Sequence, residues 1–149
     1  QSMKLVPVDV QLMDYSEMQQ FHRLFDFLDN IKNEKYTSIQ ERINSSVASY
    51  GYVYLNSVEY LNDHSDLENK EQLLVESCGD PTINNLHLKW KNVHLTREIA
   101  MIDKITKYCK SVDFERAVFL VGAAHLVSLR SQINDDSRGF EGIKWSFGL

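Results

Sequence analysis

Apolar residues recur at helical spacing along much of this chain. Met18, Phe21, Leu24, Phe25, Leu28 and Ile31 follow one another in three- and four-residue steps, which predicts an amphipathic helix over 16–34. Ser16 and Gln19 stand at the spacing of a capping box at its start. Ile39, Ile43 and Val47 predict a second helix over about 37–49. Tyr50 to Leu55 is rich in aromatic and β-branched residues and reads equally as strand or helix. From Ser57, through Val58 and Leu61, the spacing is helical again. Asp66 is expected to cap a further helix carrying Leu67, Leu73 and Leu74 on one face, closing near Cys78-Gly79-Asp80-Pro81.

Elsewhere the period changes. Residues 4–9 form a short apolar run ending in Asp9 and read as a strand, with Pro7 placing it at an edge. Residues 79–94 are polar and read as a long connection. Thr96 is expected to cap a long helix to Lys110, with Ile99, Ile102, Ile105 and Tyr108 in period. Arg116 to Val121, continuously apolar after its arginine, has the pattern of a central parallel strand. It leads into Gly122-Ala123-Ala124-His125 and a helix to Ile133. A polar loop with Asp135, Asp136 and Gly139 precedes an alternating run from Ile143 to Phe147, read as a last strand.

Strand, about four helices, strand, helix, strand is the order of an α/β fold: a small, mostly parallel sheet with a helical insertion over about 35–95. Three strands are few for such a sheet. The expectation is a truncated piece of a larger split α/β fold, with a second copy or sequence before Lys4 completing the sheet. Gln1-Ser2-Met3 reads as a tag remnant outside a single domain of 4–149.

Composition narrows the function classes. With 43% hydrophobic and 25% charged residues among 149, the chain is a globular domain rather than a disordered tail or coiled coil. Sixteen Lys+Arg against 21 Asp+Glu give a net charge of -5, and no segment gathers the basic residues that a nucleic acid would require. No apolar run approaches the roughly 20 residues that span a bilayer. Cys78 and Cys109 form no CxxC and read as buried small hydrophobes, which suits a reducing compartment and favours the cytoplasm.

The candidate chemistry gathers at Gly122–His125, where the expected strand meets a helix. Small residues there let backbone or ligand approach, and an imidazole can reach a metal, a phosphate or a carbonyl. The competing reading is an ordinary histidine at a helix start. Asp9 and Arg97 project toward the same edge if the strands are parallel. Arg97 falls in the first turn of its expected helix, against the macrodipole, which points to an anion or Asp9 as its partner. An exposed surface arginine is the alternative.

His22 reads as solvated. His64, beside Asp63 and Asp66, reads as a loop residue able to hold a metal weakly. His87, Trp90 and His94, with Tyr50, Tyr52 and Tyr54, form either a small-molecule or haem-facing wall or plain core. The absence of G-x-S-x-G excludes a nucleophile elbow, and neither a Gly-rich phosphate loop nor HExxH occurs.

The stretch T-R-E-I-A-M-I-D-K-I (96–105), followed by V-F-L-V-G-A-A-H-L (118–126), resembles the C-terminal half of the TraB/Tiki and ChaN/erythromycin-esterase-like superfamily. Its arginine-led helix is matched by Arg97 and Met101, and its GxxH by Gly122 and His125. The resemblance implies a split α/β core and a metal-dependent hydrolase acting on a small molecule or peptide. His125 would then bind a divalent metal or act as general base, Arg97 would hold an anionic group, and Asp9 would orient one of them. The first of the family's two GxxH motifs has no counterpart here, so the chain is expected to hold half a site and to be inactive by itself. The alternative is a non-catalytic domain that binds haem or another small molecule.

Overall fold

The computed structural model describes residues 6–9, 13–134 and 143–146. Every regular element among them is helical: α1 (Tyr15–Met18), a 3-10 turn (Gln19–Phe21), α2 (His22–Asp29), α3 (Glu34–Tyr50), α4 (Tyr52–Leu55), α5 (Val58–Ser77), α6 (Pro81–Ser111), a second 3-10 turn (Ala123–His125) and α7 (Leu126–Ile133). The expected α/β architecture is therefore corrected to an all-helical one.

Each of the three expected strands fails for a physical reason. A strand is stable only when a neighbour takes its backbone N–H and C=O groups, and no ladder forms among the described residues. Residues 6–9 and 143–146 have no regular structure; Lys4, Leu5 and Phe147 lie outside the described residues, as do Asp135, Asp136 and Gly139. Arg116–Val121 is not a buried central strand either. Val118 and Leu120 are 78% and 85% exposed.

The helix boundaries follow local chemistry. Asn33 starts α3, its Oδ1 accepting the Tyr36 N–H at 3.1 Å. Ser57 starts α5 in the same way, its Oγ accepting the Tyr60 N–H at 3.1 Å. Asp66 caps nothing, because it lies inside α5. That helix ends at Cys78 and is followed by Gly79 at φ 70°, a left-handed position that glycine adopts without a Cβ penalty. Asp80 then opens α6, its Oδ1 accepting the Thr82 N–H at 2.8 Å, and Pro81 occupies the first helical position.

Residues 81–94 are thus the beginning of α6 rather than a connection. The stripe that α6 buries is Ile83, His87, Glu98, Met101, Ile102 and Ile105. Two of those positions are polar, which hides the helical period from a hydrophobicity reading.

The described residues divide into two compact units. One holds α1–α5 and residues 81–90. Phe21, Leu24, Tyr36, Tyr54, Tyr60, Val75 and Ile83 are its buried hydrophobic side chains, and burial of Phe21, Leu24, Val75 and Ile83 contributes about 1.5–3 kcal/mol of transfer free energy apiece. Trp90 meets Phe21 and Phe25 edge-on, both at 5.2 Å between ring centroids. The other unit holds residues 6–9, the remainder of α6 and α7. Its core is Met101, Ile102, Ile105, Leu129 and Ile133.

Candidate functional site

In the second unit, α6 presents Glu98 to the turn that carries His125. The carboxylate is buried, and so is the imidazole. His125 Nδ1 lies 2.7 Å from Glu98 Oε1. The other carboxylate oxygen accepts the Ser128 hydroxyl from the first turn of α7. Both oxygens are occupied, so the carboxylate cannot swing away from the ring. Gln132 donates from its Nε2 to Ser128 Oγ at 3.3 Å, one turn further along α7. The His94 ring lies over His125 at 5.5 Å between centroids and 29° between planes.

A carboxylate on Nδ1 fixes the tautomer and orientation of an imidazole and turns Nε2 into its working nitrogen. Nε2 of His125 makes no hydrogen bond to any described residue. Ser128 is not placed as a nucleophile, because its hydroxyl is spent on Glu98 rather than on that nitrogen. The group is a polarised histidine with its orienting acid, able to take a proton or give one.

Gly122 begins the turn in an extended conformation (φ -61°, ψ 138°), its carbonyl accepting the His125 N–H at 3.0 Å. A Cβ at this position would sit 3.8 Å from His125 Cδ2, an ordinary contact. Neither backbone nor space demands a glycine there.

Arg97 and Asp9 do meet, 88 positions apart in sequence. Arg97 Nε donates to Asp9 Oδ1 at 2.7 Å, and Nη2 donates to Oδ2. The Asp9 carboxylate holds the Arg97 pKa above the ordinary guanidinium value. Lys104 Nζ donates to the Asp9 main-chain oxygen at 3.0 Å. Arg97 stands inside α6 rather than in its first turn, so the macrodipole has no part in the pairing. His125 pairs with Glu98 and not with either of these residues.

The other histidines are placed apart. His22 is exposed. His64 lies within α5 rather than in a loop, its ring packed at 5.5 Å from that of Tyr60. Its neighbour Asp63 is taken by Arg42 and Tyr54. His87 Nε2 lies 3.1 Å from Glu71 Oε1, and Tyr36 donates to Glu71 Oε2 at 3.4 Å. His87 and His94 belong to different units. Tyr50 and Tyr52 are exposed, whereas Tyr54 is buried. Cys78 and Cys109 are free thiols, each half-buried, and burial pushes the Cys109 thiol up.

Among the described residues, no group of three His, Cys, Asp or Glu is arranged to hold a metal. No helix among them is long and apolar enough to cross a membrane. Glu98 is the site residue that the sequence reading missed. Its signal was present in the spacing of 98, 101, 102 and 105, which sets an acid on the same stripe as Met101, Ile102 and Ile105.

Compared with protein-family models, with curated proteins and with solved structures, the chain matches none.

Proposed function

We propose that the chain contributes a general acid–base histidine to a hydrolytic centre acting on a small molecule or a peptide. The observation that carries this reading is the 2.7 Å contact between His125 Nδ1 and Glu98 Oε1, both buried. In such a centre Nε2 takes a proton from water as its oxygen attacks the substrate carbonyl. The resulting imidazolium is compensated by Glu98 across Nδ1, and the proton then passes to the leaving group. Ser128 positions Glu98.

The test is a panel of chromogenic esters and short peptides, assayed with the wild-type chain and with His125→Ala, Glu98→Gln and Ser128→Ala. General acid–base groups contribute on the order of 10²–10⁴ in rate. His125→Ala should remove at least about 10²-fold. Glu98→Gln should lower the rate and move the pH profile, and Ser128→Ala should have the smallest effect. Turnover that survives His125→Ala would sink the proposal. So would full activity in Glu98→Gln with an unmoved profile.

A further inference from the structure

We infer that Arg97 and Lys104 of α6 form a docking fork for an acidic, extended peptide segment of a partner protein, and that Asp9 of this chain fills the fork in cis. The inference does not rest on the role proposed for His125. Arg97 grips both carboxylate oxygens of Asp9, while Lys104 takes the main-chain oxygen of the same residue. The two basic residues are seven apart, two helical turns and about 10 Å of rise, and therefore share one face of α6. Together they recognise a side-chain carboxylate and a backbone carbonyl on one residue. A peptide presents that pair of acceptors; a free inorganic anion does not.

The present occupant has the character of such a segment. Val6 and Val8 are half-buried while Pro7 and Asp9 are exposed, an alternation with period two. Val6 precedes a proline, which disfavours helical backbone at that residue. Planar, two-point recognition of a carboxylate is the particular strength of a guanidinium. The pair is also open to water, with the Arg97 and Asp9 side chains 37% and 52% exposed. An ion pair so exposed is a weak tether. An acidic segment from outside can displace it, and until one does the fork is masked.

The experiment titrates the whole chain, as wild type and as Asp9→Asn, with Val-Pro-Val-Asp capped at both ends. The Val-Pro-Val-Asn peptide and inorganic phosphate serve as comparison probes, and binding is followed by calorimetry and by amide shifts along α6. Asp9→Asn should bind the acidic peptide at least about threefold more tightly than wild type, because the internal competitor is gone. The Asn peptide should not bind, and adding Arg97→Gln to Asp9→Asn should abolish binding of the Asp peptide. Equal affinity for wild type and Asp9→Asn overturns the inference. Phosphate binding as tightly as the peptide also overturns it, in favour of a plain anion site. If Asp9→Asn alters the far-UV circular dichroism, the same titration on Asp9→Ser decides by the same criteria.

Discussion

Arg42 of α3 holds a single oxygen of Asp63 on α5, with Nε at 2.9 Å and Nη2 at 2.6 Å. The second oxygen accepts the Tyr54 hydroxyl at 2.8 Å, which brings α4 into the same clasp. The Arg42 and Tyr54 bonds hold the Asp63 carboxyl below its ordinary value of 3.8. A carboxyl lowered by folding binds its proton more weakly than it does in the unfolded chain. Its stabilisation is therefore complete above about pH 4 and is lost as the pH falls through the folded value. Denaturant midpoints should drop between pH 5 and pH 2.5, with a smaller drop in Asp63→Asn. An identical acid response in the two proteins would refute the role given to this clasp.

The same unit has an alkaline limit. Tyr36 and Tyr54 are both pushed up to about 12, chiefly by burial and then by the carboxylates of Glu71 and Asp63 respectively. The fold favours the neutral phenols, so this contribution is whole below pH 10 and disappears as the pH rises through about 12. Of the seven tyrosines, a late-titrating group should appear near pH 12 by absorbance at 295 nm, together with loss of helix. Tyr54→Phe should shrink that late step by one residue.

Core and surface positions should separate cleanly. Leu24 is fully buried, and Leu24→Ala should cost about 3 kcal/mol in equilibrium denaturation. Tyr52 is 77% exposed, and Tyr52→Ser should stay within about 0.5 kcal/mol of wild type. A comparable loss at both positions would mean that the α1–α5 packing described above is wrong.

Gly79 tests backbone against packing. A Cβ there would meet nothing within 4 Å, so a substitution is penalised only through its φ of 70°. Gly79→Ala should cost about 1 kcal/mol and Gly79→Asn less, since Asn tolerates the left-handed region better. Thermal melts of the two variants check the order.

Removing the buried acid of the second unit should be more damaging than removing an exposed one. Glu98→Ala leaves Ser128 and His125 Nδ1 without their acceptor, and a loss of about 2 kcal/mol is expected. Asp103, exposed on the same helix, should tolerate the same change with little loss.

The helical boundaries that side-chain chemistry sets were legible from the sequence. The beginning at Ser57, the stop at Cys78-Gly79-Asp80-Pro81 and the end of α7 at Ile133 all stand close to where spacing and capping residues put them. The first half of α6 was not legible, because its inward positions include His87, whose burial is offset by Glu71 on another helix. Pairing partners of that kind are invisible to a local reading. The strands failed for the complementary reason: an apolar run such as R-A-V-F-L-V says nothing about whether a neighbouring strand exists to pair with it. At the site, Arg97 and Asp9 meet, but not for the reasons that the sequence suggests: Arg97 is not in the first turn of its helix, and no parallel strands bring the two together. Glu98 required the helix phase of α6, which the assumed connection over 79–94 had displaced.

The solvent-facing Val118 and Leu120 bear on how the protein behaves in bulk solution. A net charge of -5 keeps neighbouring molecules apart at low ionic strength. Salt shortens the reach of that repulsion to about 8 Å near physiological strength, while the exposed apolar surface of Val118 and Leu120 is left unscreened. Leu120 is among the most exposed of the apolar side chains, so turbidity should set in at a lower salt concentration for the wild type than for Leu120→Lys, with the melting temperature of the two unchanged.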